Sequence, residues 1–325
     1  MAFLKLVGIK TSTIGSFPLE DSPSNRKRCI EDLIGIGIDF PAYPQLTDMG
    51  KQFLDDLVKQ DAEIIVENGV YKFKGKEIKE DVTPLGLEPF YWTLRYLEQV
   101  GSKKKVKLKA AITGPFTLAS YVQTKTGMFP FNTALSDFEL VKQLARILYK
   151  SCEAAAREAS MISIDEPILG VIVGVKIPFG YSEEDIIETY NYLRRACGEK
   201  ITGTHICGAI SPKLANILLQ TELDFLSHEF HNSPKNIGTY KREDLGKNGK
   251  FLSVGCLSSK NPKVESPNEI LEIMEKFKEH KDLIFTPDCG FRPLVVAGSR
   301  EKGYEIAIKK LRNMVDAANK LKTRI

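Results

Sequence analysis

Short apolar and β-branched runs recur along the chain, and most are followed by a stretch in which apolar residues return every three or four positions. The runs lie at Lys10–Ile14, Ile38–Phe40, Val106–Ile112, Met161–Ile164, Ile201–His205, Phe225–Ser227, Phe251–Val254 and Leu283–Thr286. Their length and residue types predict strands. Helical periodicity is clearest in Glu183–Cys197, Pro212–Leu219, Pro267–Lys278 and Arg300–Leu321. Strand and helix alternating about eight times predicts an α/β fold, a (β/α)8 TIM barrel ahead of a doubly wound open sheet. Ala62–Ile78 interrupts the alternation: Asn68-Gly69 stands between two β-prone runs, which predicts a β-hairpin inserted over one barrel face. Ser182 before Glu183, Glu184 and Asp185, and Ser266 before Pro267, read as helix caps.

No repeat, low-complexity tract or Pro/Ser-rich linker divides the sequence, so residues 1–325 are expected to form one catalytic domain. A hydrophobic fraction of 42% and a charged fraction of 27% are ordinary for a chain with a sizeable core. The net charge is only +4 and the cations are dispersed, which argues against nucleic acid. Lys103-Lys104-Lys105 reads as a solvated loop. No apolar stretch approaches the roughly 20 residues of a membrane span, and Met1–Lys10 lacks a signal-peptide core, so a cytoplasmic location is expected. The six cysteines are scattered, which makes a disulfide framework unexpected and leaves metal binding or plain burial.

Among them, Cys207 belongs to His205-Ile-Cys207 at a strand end, where period-two geometry turns both side chains to one face. Candidate partners close two later strands: Glu229 in Phe225-Leu-Ser-His-Glu-Phe-His231, and Cys289 in Phe285-Thr-Pro-Asp-Cys-Gly-Phe-Arg292. The C-terminal ends of barrel strands converge on one pocket. Two thiolates, one imidazole and one carboxylate would make a tetrahedral Zn2+ shell suited to holding a substrate thiol as its thiolate. His228 and His231 compete with Glu229, although alternation lets only part of that trio face inward. Cys207 and Cys289 have the alternative of serving as small buried hydrophobes. Cys29, Cys152 and Cys197 fall on predicted helices and are assigned to packing; Cys256, which follows a strand, is the weakest of these exclusions.

These segments resemble the catalytic, C-terminal half of cobalamin-independent methionine synthase, especially its short single-domain archaeal relatives. The carriers are Thr13-Ile-Gly-Ser-Phe-Pro18, Ile112-Thr-Gly-Pro-Phe-Thr117, Ile164-Asp-Glu-Pro167, His205-Ile-Cys207, Glu229 and Pro287-Asp-Cys-Gly290. The resemblance implies a barrel whose zinc is held by His205, Cys207, Glu229 and Cys289. It also implies that Ile14, Gly15 and Ser16 contact the amino-acid end of homocysteine and that Asp165 accepts a bond from its ammonium. The expected activity is methyl transfer to homocysteine, giving methionine.

Several positions depart from the full-length pattern. Those proteins carry a second, N-terminal barrel, whereas this chain resembles one half only. Gly170-Val171 stands where they have an Arg-Glu pair associated with folate, and Tyr121 is nearest to their tryptophan. The loop Gly255–Ser266 contains no histidine where they use one as proton donor, leaving Ser258, Ser259 or Lys260 at its place. Lys51 stands where a glutamate would meet the substrate amine, and Asp48 is a substitute. The donor is accordingly expected to be methylcobalamin or a corrinoid protein, a methylated pterin, or a donor brought by a separate N-terminal-like barrel. The rivals are a zinc methyltransferase for another thiol such as coenzyme M, which Lys51 favours, and a non-catalytic zinc-carrying partner subunit.

Overall fold

The computed structural model describes residues 8–324. Its strands in chain order are β1 (Ile9–Thr11), β2 (Ile64–Glu67), β3 (Val70–Phe73), β4 (Lys109–Thr113), β5 (Val122–Gln123), β6 (Met161–Asp165), β7 (Ile201–Ile206), β8 (Phe225–Glu229), β9 (Phe251–Gly255) and β10 (Leu283–Thr286). Seven of them form a curled parallel sheet in the order β1-β10-β9-β8-β7-β6-β4. The run Ile38–Phe40 forms no named strand. Pro41 follows it and has no N–H for a ladder, yet Phe40 bridges Ser12 beside β1 and Ala42 bridges Lys109 of β4, both in parallel sense. Segment 40–42 thus touches both edge strands of the sheet.

Each strand of the sheet alternates between two surroundings. Outward side chains such as Ala110, Ile112, Ile162, Ile164 and Leu226 join the large core between sheet and helices. Inward, Phe40, Met161, Ile201, Phe225 and Ile284 with Phe251 form a separate apolar plug. Two residues further along come Ala111, Ser163, Gly203, Ser227 and Ser253, all small, and then Asp165, His205 and Glu229 at the C-terminal ends. Gly203 is required in that middle layer, because a Cβ there would come within 2.4 Å of the Phe225 ring. The inside therefore runs from oil at the bottom to ionisable groups at the mouth.

Around the sheet lie helices with caps legible in the sequence. Ser182 and Ser266 each form a capping box, with Asp185 and Glu269. The long helices Phe138–Ala156 and Arg300–Lys322 cover the outer face with their buried stripes. β2 and β3 pair antiparallel across Asn68 and Gly69, both at positive φ (52° and 76°), and β5 adds to β3 in parallel. No helix among the described residues is long and apolar enough to cross a membrane.

Candidate active site

At the mouth, the ligand atoms of His205, Cys207 and Cys289 lie within 4.8 Å of one another. The His205 ring is set by Ser227, whose Oγ is 3.1 Å from Nδ1, which turns Nε2 toward Cys207 Sγ at 3.1 Å. Cys207 and Cys289 bring their sulfurs to 2.9 Å. Sharing a proton with Cys207 holds the Cys289 thiol well below its ordinary value, and the same contact drives Cys207 up. Glu229 ends β8 beside this trio, 2% exposed, and its Oε1 has no hydrogen-bond partner. The nearest cation is Lys260, whose Nζ stands 3.6 Å from that oxygen. A buried carboxylate oxygen without a donor costs a few kcal/mol if nothing claims it. Two soft sulfurs and an imidazole nitrogen are donors that one soft divalent ion could share, and the Glu229 oxygens lie outside that cluster of three.

Three residues for which the sequence predicted no part in this cluster hold its segments in register. Asp288, wholly buried, accepts from the amides of Phe230 and His231 through Oδ1 (3.0 Å each) and of Asn232 through Oδ2 (2.7 Å), so it ties the segment after Glu229 to the segment before Cys289. Burial pushes Asp288 up to about 7 against those bonds. Asn236 donates to the carbonyls of Glu229 (2.7 Å) and Gly208 (2.8 Å), joining the loops after β8 and β7. Gly170 in the helix Pro167–Ile172 lets that helix lie against the ligand strand, since a Cβ there would sit 2.9 Å from the Cys207 carbonyl.

Across the pocket, Asp165 is 5% exposed and accepts from the Ser163 hydroxyl. Burial raises its pKa, while His205 and Lys109 oppose the rise. Its neighbour Glu166 points elsewhere. The Glu166 carboxylate accepts from Phe116 N (2.9 Å), Thr117 N (2.7 Å) and Thr117 Oγ1 (2.6 Å), anchoring the start of the helix Pro115–Tyr121. Gly114 makes room for it, because a Cβ would meet Glu166 Oε1 at 2.2 Å. Two motifs that looked independent are one interlocked unit.

The turn Ile14-Gly15-Ser16 follows β1. Gly15 takes φ +143°, and a Cβ there would strike Gln45 Oε1 at 2.4 Å. Ser16 is packed against the residue after Cys289, where a Cβ on Gly290 would lie 2.0 Å from Ser16 Oγ, and its carbonyl accepts from Phe291 N at 2.8 Å. The geometry thus brings Ser16 next to the segment that carries Cys289.

Other sequence candidates lie apart. His228 faces outward, stacked on Tyr240 with Nε2 3.0 Å from its hydroxyl, and burial drives it down to about 3. His231 faces Asp288 and Glu265, at 3.9 Å and 3.7 Å. Cys29, Cys152, Cys197 and Cys256 are buried away from the trio. Asp48 is committed as a helix cap to Gly50 N and Lys51 N (3.0 and 3.1 Å), and Lys51 reaches along its own helix to Asp55 at 3.6 Å. Tyr121 lies over that cap, within 2.5 Å of where a Gly50 Cβ would be. In the loop 255–266, Ser258 is held by Asn232 Nδ2 at 3.1 Å, and the loop is pinned by Lys310, whose Nζ donates to Ser258 O (2.9 Å) and Glu265 (2.8 Å).

Residues 83–320 match the family model described as the catalytic domain of cobalamin-independent synthase. A methionine synthase of Methanocaldococcus jannaschii is 26% identical over 341 residues, covering 96% of this chain and 99% of its own. One of Methanothermobacter marburgensis is 26% identical over 300 residues, covering 89% and 86%. Among solved structures, a B12-independent methionine synthase from Shewanella sp. W3-18-1 superposes with a TM-score of 0.70 at 17% identity, covering 98% of this chain and 99% of that one.

Proposed function

The chain belongs to the cobalamin-independent synthase catalytic-domain family, and we propose that it is a zinc-dependent methyltransferase that moves a methyl group to the thiol of homocysteine, giving methionine. The single observation that carries the zinc assignment is the cluster of His205, Cys207 and Cys289 ligand atoms within 4.8 Å of one another. Glu229, with its unpartnered buried Oε1, is the fourth ligand in this reading. Zinc bound by this set supplies a Lewis acid that lets an incoming thiol react as a thiolate at neutral pH.

The remaining work belongs to the protein. Asp165, at the mouth across from the thiols, accepts from the substrate ammonium. The Ile14–Ser16 turn, brought against Gly290, meets the carboxylate end through backbone and hydroxyl groups. Fixing both ends of the amino acid aims its sulfur at the donor methyl for in-line attack: the new S–C bond forms as the donor–methyl bond breaks, and the donor leaves with the electron pair. The donor is methylcobalamin, free or on a corrinoid protein, in preference to a methylated pterin or a donor carried by a separate barrel. This preference is supported by the loop 255–266, which carries no histidine to protonate a leaving nitrogen.

We read the architecture as one closed (β/α)8 barrel domain. The bridges from segment 40–42 to both edge strands support closure, with the β2–β3 hairpin as an insertion beside it. The test is an assay of purified, zinc-loaded protein with homocysteine and methylcobalamin or methylated pterins, alongside zinc content. Cys207→Ser and Cys289→Ser are each expected to lose most of the metal; variants that keep full zinc content would sink the assignment.

A further inference from the structure

Lys109 is 3% exposed, an unusual place for an ammonium, whose desolvation costs several kcal/mol. It opens β4 and pairs in register with Met161, a plug residue, so its side chain enters the inside of the curled sheet. Above it in β4 stand Ala111, level with Ser163, and Thr113, level with Asp165. The four-carbon stem is long enough to climb past Ala111 and bring the ammonium toward the level of Asp165. Burial pulls Lys109 down to about 8, and Asp165 is the carboxylate that opposes this; Lys109 in turn opposes the rise at Asp165. The mouth above is rich in negative charge, with Asp165 and Glu229 both acting on the pair of sulfurs. A cation inside the sheet offsets that charge from the side substrate does not use.

We propose that Lys109 is a positioning residue for substrate recognition: its ammonium, inside the sheet on the strand that pairs with that of Asp165, is the fixed counter-charge that keeps this carboxylate available to the amine of homocysteine. The inference rests on the proposed substrate and on the contact assigned to Asp165. A lysine serving only to fill the sheet interior would be replaceable by methionine, which has similar length and shape, without any effect specific to the substrate amine.

The test compares binding of homocysteine and of 4-mercaptobutanoate, which keeps thiol and carboxylate but lacks the amine, to zinc-loaded protein by calorimetry. Lys109→Met is expected to weaken homocysteine about tenfold or more while leaving zinc content and 4-mercaptobutanoate affinity within about twofold. In an Asp165→Asn background the same substitution should add no further loss. Equal weakening of both thiols, no change in either, or full additivity with Asp165→Asn overturns the proposal. If Lys109→Met does not fold, Lys109→Arg decides, since retained charge must preserve the parent's preference for homocysteine over the analogue, and loss of that preference overturns it. A parent protein that binds neither thiol would instead overturn the function proposed above.

Discussion

Asp288 illustrates how a residue outside the thiol cluster fixes the segments that carry it. Its two oxygens take three backbone amides from residues 230–232, fixing the chain that leaves Glu229, while its own backbone leads into Cys289. Asp288→Ala would leave three buried donors unpaired, at about 3 kcal/mol in total if part of the strain relaxes. We expect a lower denaturation midpoint and a zinc affinity weakened about 10- to 100-fold, both measurable on the purified variant. Unchanged zinc affinity would show that Glu229 and Cys289 are held independently. Nothing in the sequence flagged this contact, because it joins residues nearly sixty positions apart without any periodicity. The histidines after β8 were more legible: alternation allowed only part of the trio inward, and the structure turns His228 out to Tyr240 and His231 toward the loop 255–266.

At the scale of elements, strand ends and helix caps were readable wherever a local rule acts. The strand runs shifted by a few residues, and Leu283–Thr286 stands as expected. Ile38–Phe40 failed as a strand because Pro41 limits its pairing to isolated bridges. What was hidden is the locking of one element by another. Glu166, beside Asp165, spends its carboxylate on the start of the Pro115–Tyr121 helix. Burial pushes Glu166 up to about 8 from 4.5. A carboxyl raised in the folded state stabilises fully below the unfolded value, and that contribution disappears as pH rises through the folded value. Stability should therefore fall between about pH 5 and 8.5 in the parent and fall less in Glu166→Gln, which has no proton to lose. Denaturant melts at the two ends of that window check this, and identical pH slopes in the two proteins would contradict it.

Across the whole molecule, function and stability occupy opposite ends of the sheet interior. The plug of Phe40, Met161, Ile201, Phe225 and Ile284 sits at the base, and the ionisable groups sit at the mouth. Phe225→Ala should cost about 3–5 kcal/mol, read as a lower denaturation midpoint, while zinc content and the KM for homocysteine stay near those of the parent. A large KM change with little destabilisation would mean that the two ends are coupled. The alternation of strand and helix made this architecture visible in the sequence. The direction of each side chain inside it, including the placement of Lys109 level with the plug residue Met161, needed the three-dimensional register.

Gly170 carries a consequence for anyone redesigning this scaffold. Its helix rides so closely on the Cys207 carbonyl that even one added carbon stands 2.9 Å from that oxygen. Grafting the Arg-Glu pair of the longer proteins onto positions 170 and 171 would therefore displace a ligand strand before it created a new contact. A change of methyl donor that uses position 170 has to begin by relocating the helix Pro167–Ile172, whereas the exposed Val171 beside it stands open to substitution.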